Sequence, residues 1–255
     1  MKIVMLCNNG TSSAIVFDKL SKKYEIEKVI VEGNVPKSTF LKRRIKKLGI
    51  FKVVGQMAFS SLVVPFLKKE AKNRRNEIIQ KYDIQTDFEK IHNANTLFVP
   101  SVNSSECIQA LKQIKPDIVI VNGTRIISKE VLTSIDATFI NMHAGITPKY
   151  RGVHGAYWAY YNNDEENAGV TIHLVNEGID TGSIIYQARI EKNEKDNFTT
   201  YPLIQTCVGV EYEINAIEDV INGRLKLTQN DLPSALYTHP TIFQYIYHRI
   251  RFGVK

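Results

Sequence analysis

The residues most able to do chemistry lie at the end of a short apolar run, Phe139-Ile140-Asn141-Met142-His143. Side chains repeat every second residue in a strand, so Asn141 and His143 share one side of it. Gly145, Pro148 and Gly152 then stop regular pairing and build a loop. A second segment, Ala168 to Ile185, runs from strand to loop to strand and carries one carboxylate, Asp180, between Gly178 and Gly182. A carboxamide that donates, an imidazole that exchanges protons near neutrality and a carboxylate on a glycine-rich loop make a donor–base–orienter set. Open α/β sheets carry such sets at their strand ends.

The elements that must hold them follow from periodicity. Ile3–Leu6 reads as a first strand, Asn8–Ser13 as a loop, the stretch with Ile15, Val16 and Leu20 as a helix, and Lys28–Val31 as a second strand. This is the opening of a doubly wound sheet. Thr96–Val99, Ile118–Val121 and Thr138–Met142 add strands. Asn103 and Glu106 have capping-box-like spacing before a helix through Lys112. His154–Asn162 reads as an aromatic-rich helix, Val170–Val175 and Ser183–Ile190 as strands, Leu203–Asn222 as a long helix, and the rest as an irregular tail. No internal repeat or low-complexity linker interrupts the pattern.

A chain of 255 residues, 44% of them apolar, can bury one moderate domain with an appendage, which argues against wholesale disorder. Cys7, Cys107 and Cys207 lie far apart, show no metal-ligand spacing and cannot all pair. That fits a reducing compartment, and no metal is implied. The first strand is too short for a signal peptide, so a cytoplasmic protein is expected, with the inner membrane face left open. The net charge of +7 is uneven: residues 37–81 hold thirteen Lys/Arg against Glu70 and Glu77, leaving the remainder acidic. A basic face of this kind suits an anionic partner such as phosphate, nucleic acid or lipid headgroups.

Residues 36–82 read as an insertion, and Leu48–Leu67 within it contains one charged residue, Lys52. The length meets that of a membrane span, although Gln56, Ser60, Ser61 and Pro65 interrupt it and both flanks are basic. A span, an interfacial helix pair over about 40–75 and a helical hairpin packed on the core or on a second subunit all remain open, the packed hairpin being the simplest.

Together these segments resemble the 10-formyltetrahydrofolate-dependent formyltransferases, which include glycinamide ribonucleotide, methionyl-tRNA and sugar N-formyltransferases. The family's Asn-x-His element matches Asn141 and His143. Its Tyr-Arg-Gly continuation matches Tyr150-Arg151-Gly152, and its Gly-x-Asp-Thr-Gly element matches Gly178 to Gly182. The resemblance implies a Rossmann-like formyltransferase fold over 1–200, with a helical hairpin inserted at 36–82 and a small C-terminal appendage at 201–255. It also implies 10-formyltetrahydrofolate as formyl donor and Asn141, His143 and Asp180 as the catalytic set. An amine attacking a formyl carbon must lose a proton, for which a histidine is suited. The oxyanion needs a fixed neutral donor, here Asn141, whose loss commonly costs about 3 kcal/mol. Asp180 is then free to orient His143 or to stabilise its imidazolium. By the same resemblance the pterin contacts Asn122, Gly123, Arg125, Ile126, Ile127 and Gly178, although core packing explains the two isoleucines equally well.

The acceptor is less defined. Asn9, Gly10, Thr11 and Ser12 resemble a phosphate loop at a helix N-terminus, with Asn8 where the purine enzyme has glycine. Tyr150 and Arg151 look more like the sugar and tRNA enzymes. The 55 residues after Thr200 are too few for the barrel of about 100 residues that the tRNA enzyme carries. A nucleotide-linked amino sugar is therefore the expected acceptor. Formylation of a lipid-linked amino sugar or of glycinamide ribonucleotide, and a nucleic-acid-binding module on the same fold, stand as alternatives. Tyr150, Trp158, Tyr160, Tyr161 and Tyr201 could stack on the acceptor or fill core. His154 and His173 read as structural. Specific nucleic-acid binding is not expected, and a homodimer through the appendages is compatible with the sequence.

Overall fold

The computed structural model describes residues 1–91 and 95–255. It is built on a seven-stranded sheet in the order β3-β2-β1-β4-β5-β7-β8. The strands are β1 (Ile3–Cys7), β2 (Ile26–Glu32), β3 (Thr96–Val99), β4 (Ile118–Asn122), β5 (Thr138–His143), β7 (Gly169–Leu174) and β8 (Ile184–Arg189). The first five run parallel, and β7 and β8 join antiparallel. A separate two-residue ladder pairs β6 (Arg151–Gly152) with β9 (Leu236–Tyr237). Every residue of β1 and β4 is buried, as expected of central strands covered on both faces.

Period two sorts these strands into two cores. Ile3, Met5, Cys7, Ile140, Met142, Val170 and Ile172 face α1 (Thr11–Ser21) and α9 (Tyr201–Ile221), which contributes Val210, Ile214 and Ile217. Val4, Leu6, Val119, Val121 and Phe139 face α6 (Ser105–Ile114) and α7 (Lys129–Leu132). Phe139 is buried in this second core. Asn141 and His143 follow it at alternate positions toward the carboxyl end of β5, Asn141 partly exposed and His143 buried.

The insertion is helical, in three successive runs. The first is α2 (Lys37–Leu48). Gly49, at φ +81°, separates it from a continuous run made of α3 (Ile50–Ala58), a π-helical stretch (Phe59–Val63) and α4 (Val64–Glu70). The third is α5 (Lys72–Tyr82). A third core joins the insertion's Phe59, Leu67 and Ile78 to α8 (Gly155–Tyr161), Phe198 and Tyr245 of α10 (Ile242–Phe252).

The tail is more ordered than its sequence suggested. It crosses the domain as β9 and ends in α10, opened by a capping box between Thr241 and Gln244. Ser104, not Asn103, caps α6; the Asn103 side chain instead donates to the Ile126 carbonyl and accepts from Ser128 N–H. All three cysteines are free and buried.

Candidate active site

Antiparallel pairing sets Asn141 of β5 directly opposite His173 of β7, and His143 opposite Thr171. His173 is buried, and burial first, then the neighbouring His143, lowers its pKa and holds it neutral. Its Nδ1 lies 2.8 Å from the Leu174 carbonyl, an oxygen that can only accept, so Nδ1 carries the proton. The Nε2 lone pair must then accept from Asn141 Nδ2, 3.0 Å away. One amide hydrogen of Asn141 is engaged in this way. The other has no protein partner among the described residues and remains available to a ligand. The sequence marked His173 as structural, yet it fixes the orientation of the candidate donor. A signal was present, since His173 and Thr171 are polar residues alternating on one strand face.

His143 is also buried, with both nitrogens facing oxygen. Nε2 donates to the Tyr150 carbonyl at 2.8 Å, so the lone pair is on Nδ1, 3.3 Å from Asp180 Oδ2. Tyr150's backbone thus sets the tautomer, while Asp180 faces the nitrogen that would receive a proton. Asp180 Oδ2 also accepts from Gly152 N–H at 3.0 Å, and its Oδ1 lies 3.9 Å from His173 Nε2. Asp180 itself adopts the left-handed conformation, φ +52°, which aspartate tolerates better than most side chains.

The loop after β5 is pinned from β7. Thr171 Oγ1 donates to the Gly145 carbonyl at 2.8 Å and accepts from Thr147 N–H at 3.0 Å. Gly145 sits so close beneath this turn that a Cβ there would lie 2.2 Å from the Tyr150 carbonyl and 2.8 Å from His143 Nε2. Gly145→Ala must therefore push the carbonyl off the imidazole. A displacement of this order is expected to lower turnover about 10²-fold while circular dichroism stays native. Unchanged turnover would show that the Tyr150 bond does not position the ring.

A cavity of about 280 Å³ opens beside this cluster. Asn141, His173 and Asp180 form one wall, and Thr124, Arg125, Ile126, Ile127, Gly178 and Ile179 are among the others. Its chemistry suits a planar heteroaromatic ring. Half-exposed Ile126 offers uncovered apolar surface at the mouth, next to the polar Thr124 and Asn176. The Arg125 guanidinium is held away from free solution by Glu32 at 2.7 Å and by the Gly33 carbonyl at 2.7 Å. Of the expected pterin residues, Asn122 and Gly123 are not on this wall. Asn122 accepts from Ser13 Oγ at 3.2 Å, and the Gly123 carbonyl accepts from Asn8 Nδ2 at 2.7 Å. Both tie β4 to the start of α1.

Asn9, Gly10, Thr11 and Ser12 lie after β1 and line no part of that cavity. Thr11 instead borders a second cavity of about 260 Å³ with Lys68, Arg75, Thr199 and Thr200. Neither Lys68 nor Arg75 forms an ion pair among the described residues. Tyr150 is fully buried, stacked on Tyr237 at 5.3 Å, and donates from its hydroxyl to Asp164 at 2.7 Å. Arg151 Nη1 donates to the Ile179 carbonyl at 3.0 Å, and its buried Nε has no hydrogen-bond partner among the described residues. Trp158, Tyr160 and Tyr201 are buried core residues, and half-buried Tyr161 stacks on His248. The aromatics of α8 therefore support the domain and are not a stacking platform.

A family model described as formyl transferase matches residues 1–203. A methionyl-tRNA formyltransferase from Kosmotoga olearia is 36% identical over 138 residues, covering 54% of this chain and 44% of that protein. The chain spans about half the length, or less, of the curated relatives it matches. Among solved structures, a 4-N formyltransferase from Francisella tularensis is 16% identical with a TM-score of 0.56, over 93% of this chain and 76% of that one. A sugar 3N-formyltransferase solved in the presence of dTDP and 5-N-formyl-THF is 18% identical with a TM-score of 0.56, over 93% of this chain and 69% of that one. At these identities the structural likeness is one of fold.

Proposed function

From the premise that the chain belongs to the formyl transferase family, whose formyl donor is 10-formyltetrahydrofolate, we propose that it formylates the primary amine of a nucleotide-linked amino sugar. The donor supplies an activated formyl group, and the cavity beside Asn141 is where it would bind. Asn141 offers its unengaged N–H to the oxygen on which negative charge develops. His143 would take the amine proton on Nδ1 and return it to the N10 nitrogen of the departing tetrahydrofolate as the formyl C–N10 bond breaks, while its Nε2–H stays on the Tyr150 carbonyl. Asp180, 3.3 Å from Nδ1, stabilises the imidazolium that results. The buried setting keeps these charges from being screened by water.

The observation that carries the acceptor assignment is the second, cationic cavity. Lys68 and Arg75 meet Thr11 there, at the carboxyl end of β1. Asn141 lies toward the carboxyl end of β5, two strands from β1 across β4, so the two strand axes are about 10 Å apart at ordinary spacing. A nucleotide-linked sugar could place its diphosphate on these cations and extend its amine toward the carboxyl end of β5. The dTDP present with the sugar 3N-formyltransferase of like fold supports the same acceptor class.

The test is incubation with 10-formyltetrahydrofolate and a panel of nucleotide-linked amino sugars, with glycinamide ribonucleotide and methionyl-tRNA alongside. A mass gain of one formyl group on a nucleotide sugar is expected. Formylation of only the tRNA or the ribonucleotide would overturn the acceptor assignment.

A further inference from the structure

We propose that the face formed by the helical run 50–70 and by α10 docks on an anionic lipid bilayer, lying in the interface and not crossing it. This goes beyond the transfer reaction and does not depend on the acceptor.

The run Ile50–Glu70 is long and apolar enough to cross a bilayer by length and composition. One stripe of it, Val53, Gln56, Phe59 and Leu67, is however buried against the domain. Crossing would tear that stripe out, whereas lying flat uses only the opposite stripe. That stripe is fully presented: Phe51 is 92% exposed, and Val54, Met57, Leu62 and Phe66 are each at least half exposed. Helix α10 continues the surface with Phe243, Tyr247 and Ile250, the last 81% exposed. The two elements are fixed side by side. Phe59 and Tyr245 rings sit 5.0 Å apart, Arg249 pairs with Glu70 at 3.4 Å, and a Cβ on Gly55 would come within 3.0 Å of Thr241.

The polar residues within the run do not spoil it. Gln56 points inward, donating to Thr238 Oγ1 and the His239 carbonyl. Ser60 and Ser61 turn their hydroxyls back onto the carbonyls of Gln56 and Met57. Their donors are thus satisfied before they meet an apolar medium.

Charge selects the occupant. Exposed Lys46, Lys47 and Lys52 lie at one end of the run and Lys69 and Lys72 at the other. The insertion's two acids are already engaged, Glu70 by Arg249 and Glu77 by Lys195 at 2.8 Å. No acid occurs from 232 to 255, where exposed Arg251 adds positive charge beside the Arg249 that Glu70 neutralises. An apolar stripe rimmed by unneutralised cations complements anionic headgroups above acyl chains. A continuous series of contacts also links this face to the site. Thr238 and His239, bonded by Gln56, follow β9, which pairs with Gly152, the residue whose N–H holds Asp180.

The purified chain would be sedimented, without substrate, with vesicles of phosphatidylglycerol and phosphatidylcholine or of phosphatidylcholine alone. Binding about tenfold or more stronger to the anionic vesicles is expected, weakening as salt rises. Phe51→Glu and Ile250→Glu change exposed residues, so they should leave the fold intact while lowering binding about tenfold or more. Absence of binding at low salt would overturn the proposal. So would binding that these variants leave unchanged, which would mean charge attraction alone, or a dimer that Phe51→Glu dissociates without any vesicle binding. Because the readout is partition of the protein, it fails or succeeds separately from formyl transfer.

Discussion

Asp180→Asn and His143→Ala are each expected to lower turnover by about 10²- to 10⁴-fold on the acceptor that the panel identifies. Asparagine at 180 keeps a side chain that accepts the left-handed backbone at φ +52° and can still receive the Gly152 N–H. What it loses is the negative charge 3.3 Å from His143 Nδ1. Thermal unfolding of Asp180→Asn should therefore stay near that of the parent while kcat collapses. His143 and Asp180 act on one proton, so the double variant should be little worse than either single one, well short of the product of the two losses. Near-normal kcat in either single variant would mean that another group removes the amine proton. Fully multiplicative losses would mean that the carboxylate and the imidazole work independently.

The second large effect is on stability. Glu213 of α9 is completely buried, both carboxyl oxygens lack a hydrogen-bond partner among the described residues, and burial pushes its pKa up to about 8 from an ordinary 4.5. The folded chain keeps this proton up to about pH 8, whereas the unfolded chain releases it near pH 4.5. The native state thus binds more protons across that window. Its contribution is fully present below pH 4.5 and is lost as pH rises through about 8. At pH 7 the cost relative to an always-neutral side chain is about 3 kcal/mol. Glu213→Gln keeps the shape and removes the titration. Its urea midpoint should exceed the parent's by an amount that grows from pH 5 to pH 8.5. Parallel midpoints across that range would show that the carboxyl finds a partner on folding.

The catalytic candidates were legible because their spacing is local. Two residues of period along β5 suffice to set Asn141 and His143 on one side, and the glycines around Asp180 announce its loop. What holds them was not legible, because it depends on pairing between distant segments. His173 meets Asn141 only through the antiparallel register of β5 and β7, and the His143 tautomer is set by a backbone carbonyl, which no side-chain pattern reveals. The aromatics of 157–161 carry the same composition whether they stack on a ligand or fill a core; burial alone decides, and most of them are buried. Helix α10 was readable in principle, since Thr241 and Gln244 have capping-box spacing, but Pro240 and the polar residues before it suggested irregular chain.

The thiols have a consequence for how the chain behaves toward electrophiles. Burial pushes Cys7 and Cys207 up to about 12 and Cys107 up to about 11. Only the thiolate attacks, so at neutral pH the native protein presents almost no sulfur nucleophile to an alkylating reagent or an oxidant. Cys7 lies on β1, an interior strand of the sheet. Labelling at that sulfur would therefore time the opening of the sheet itself.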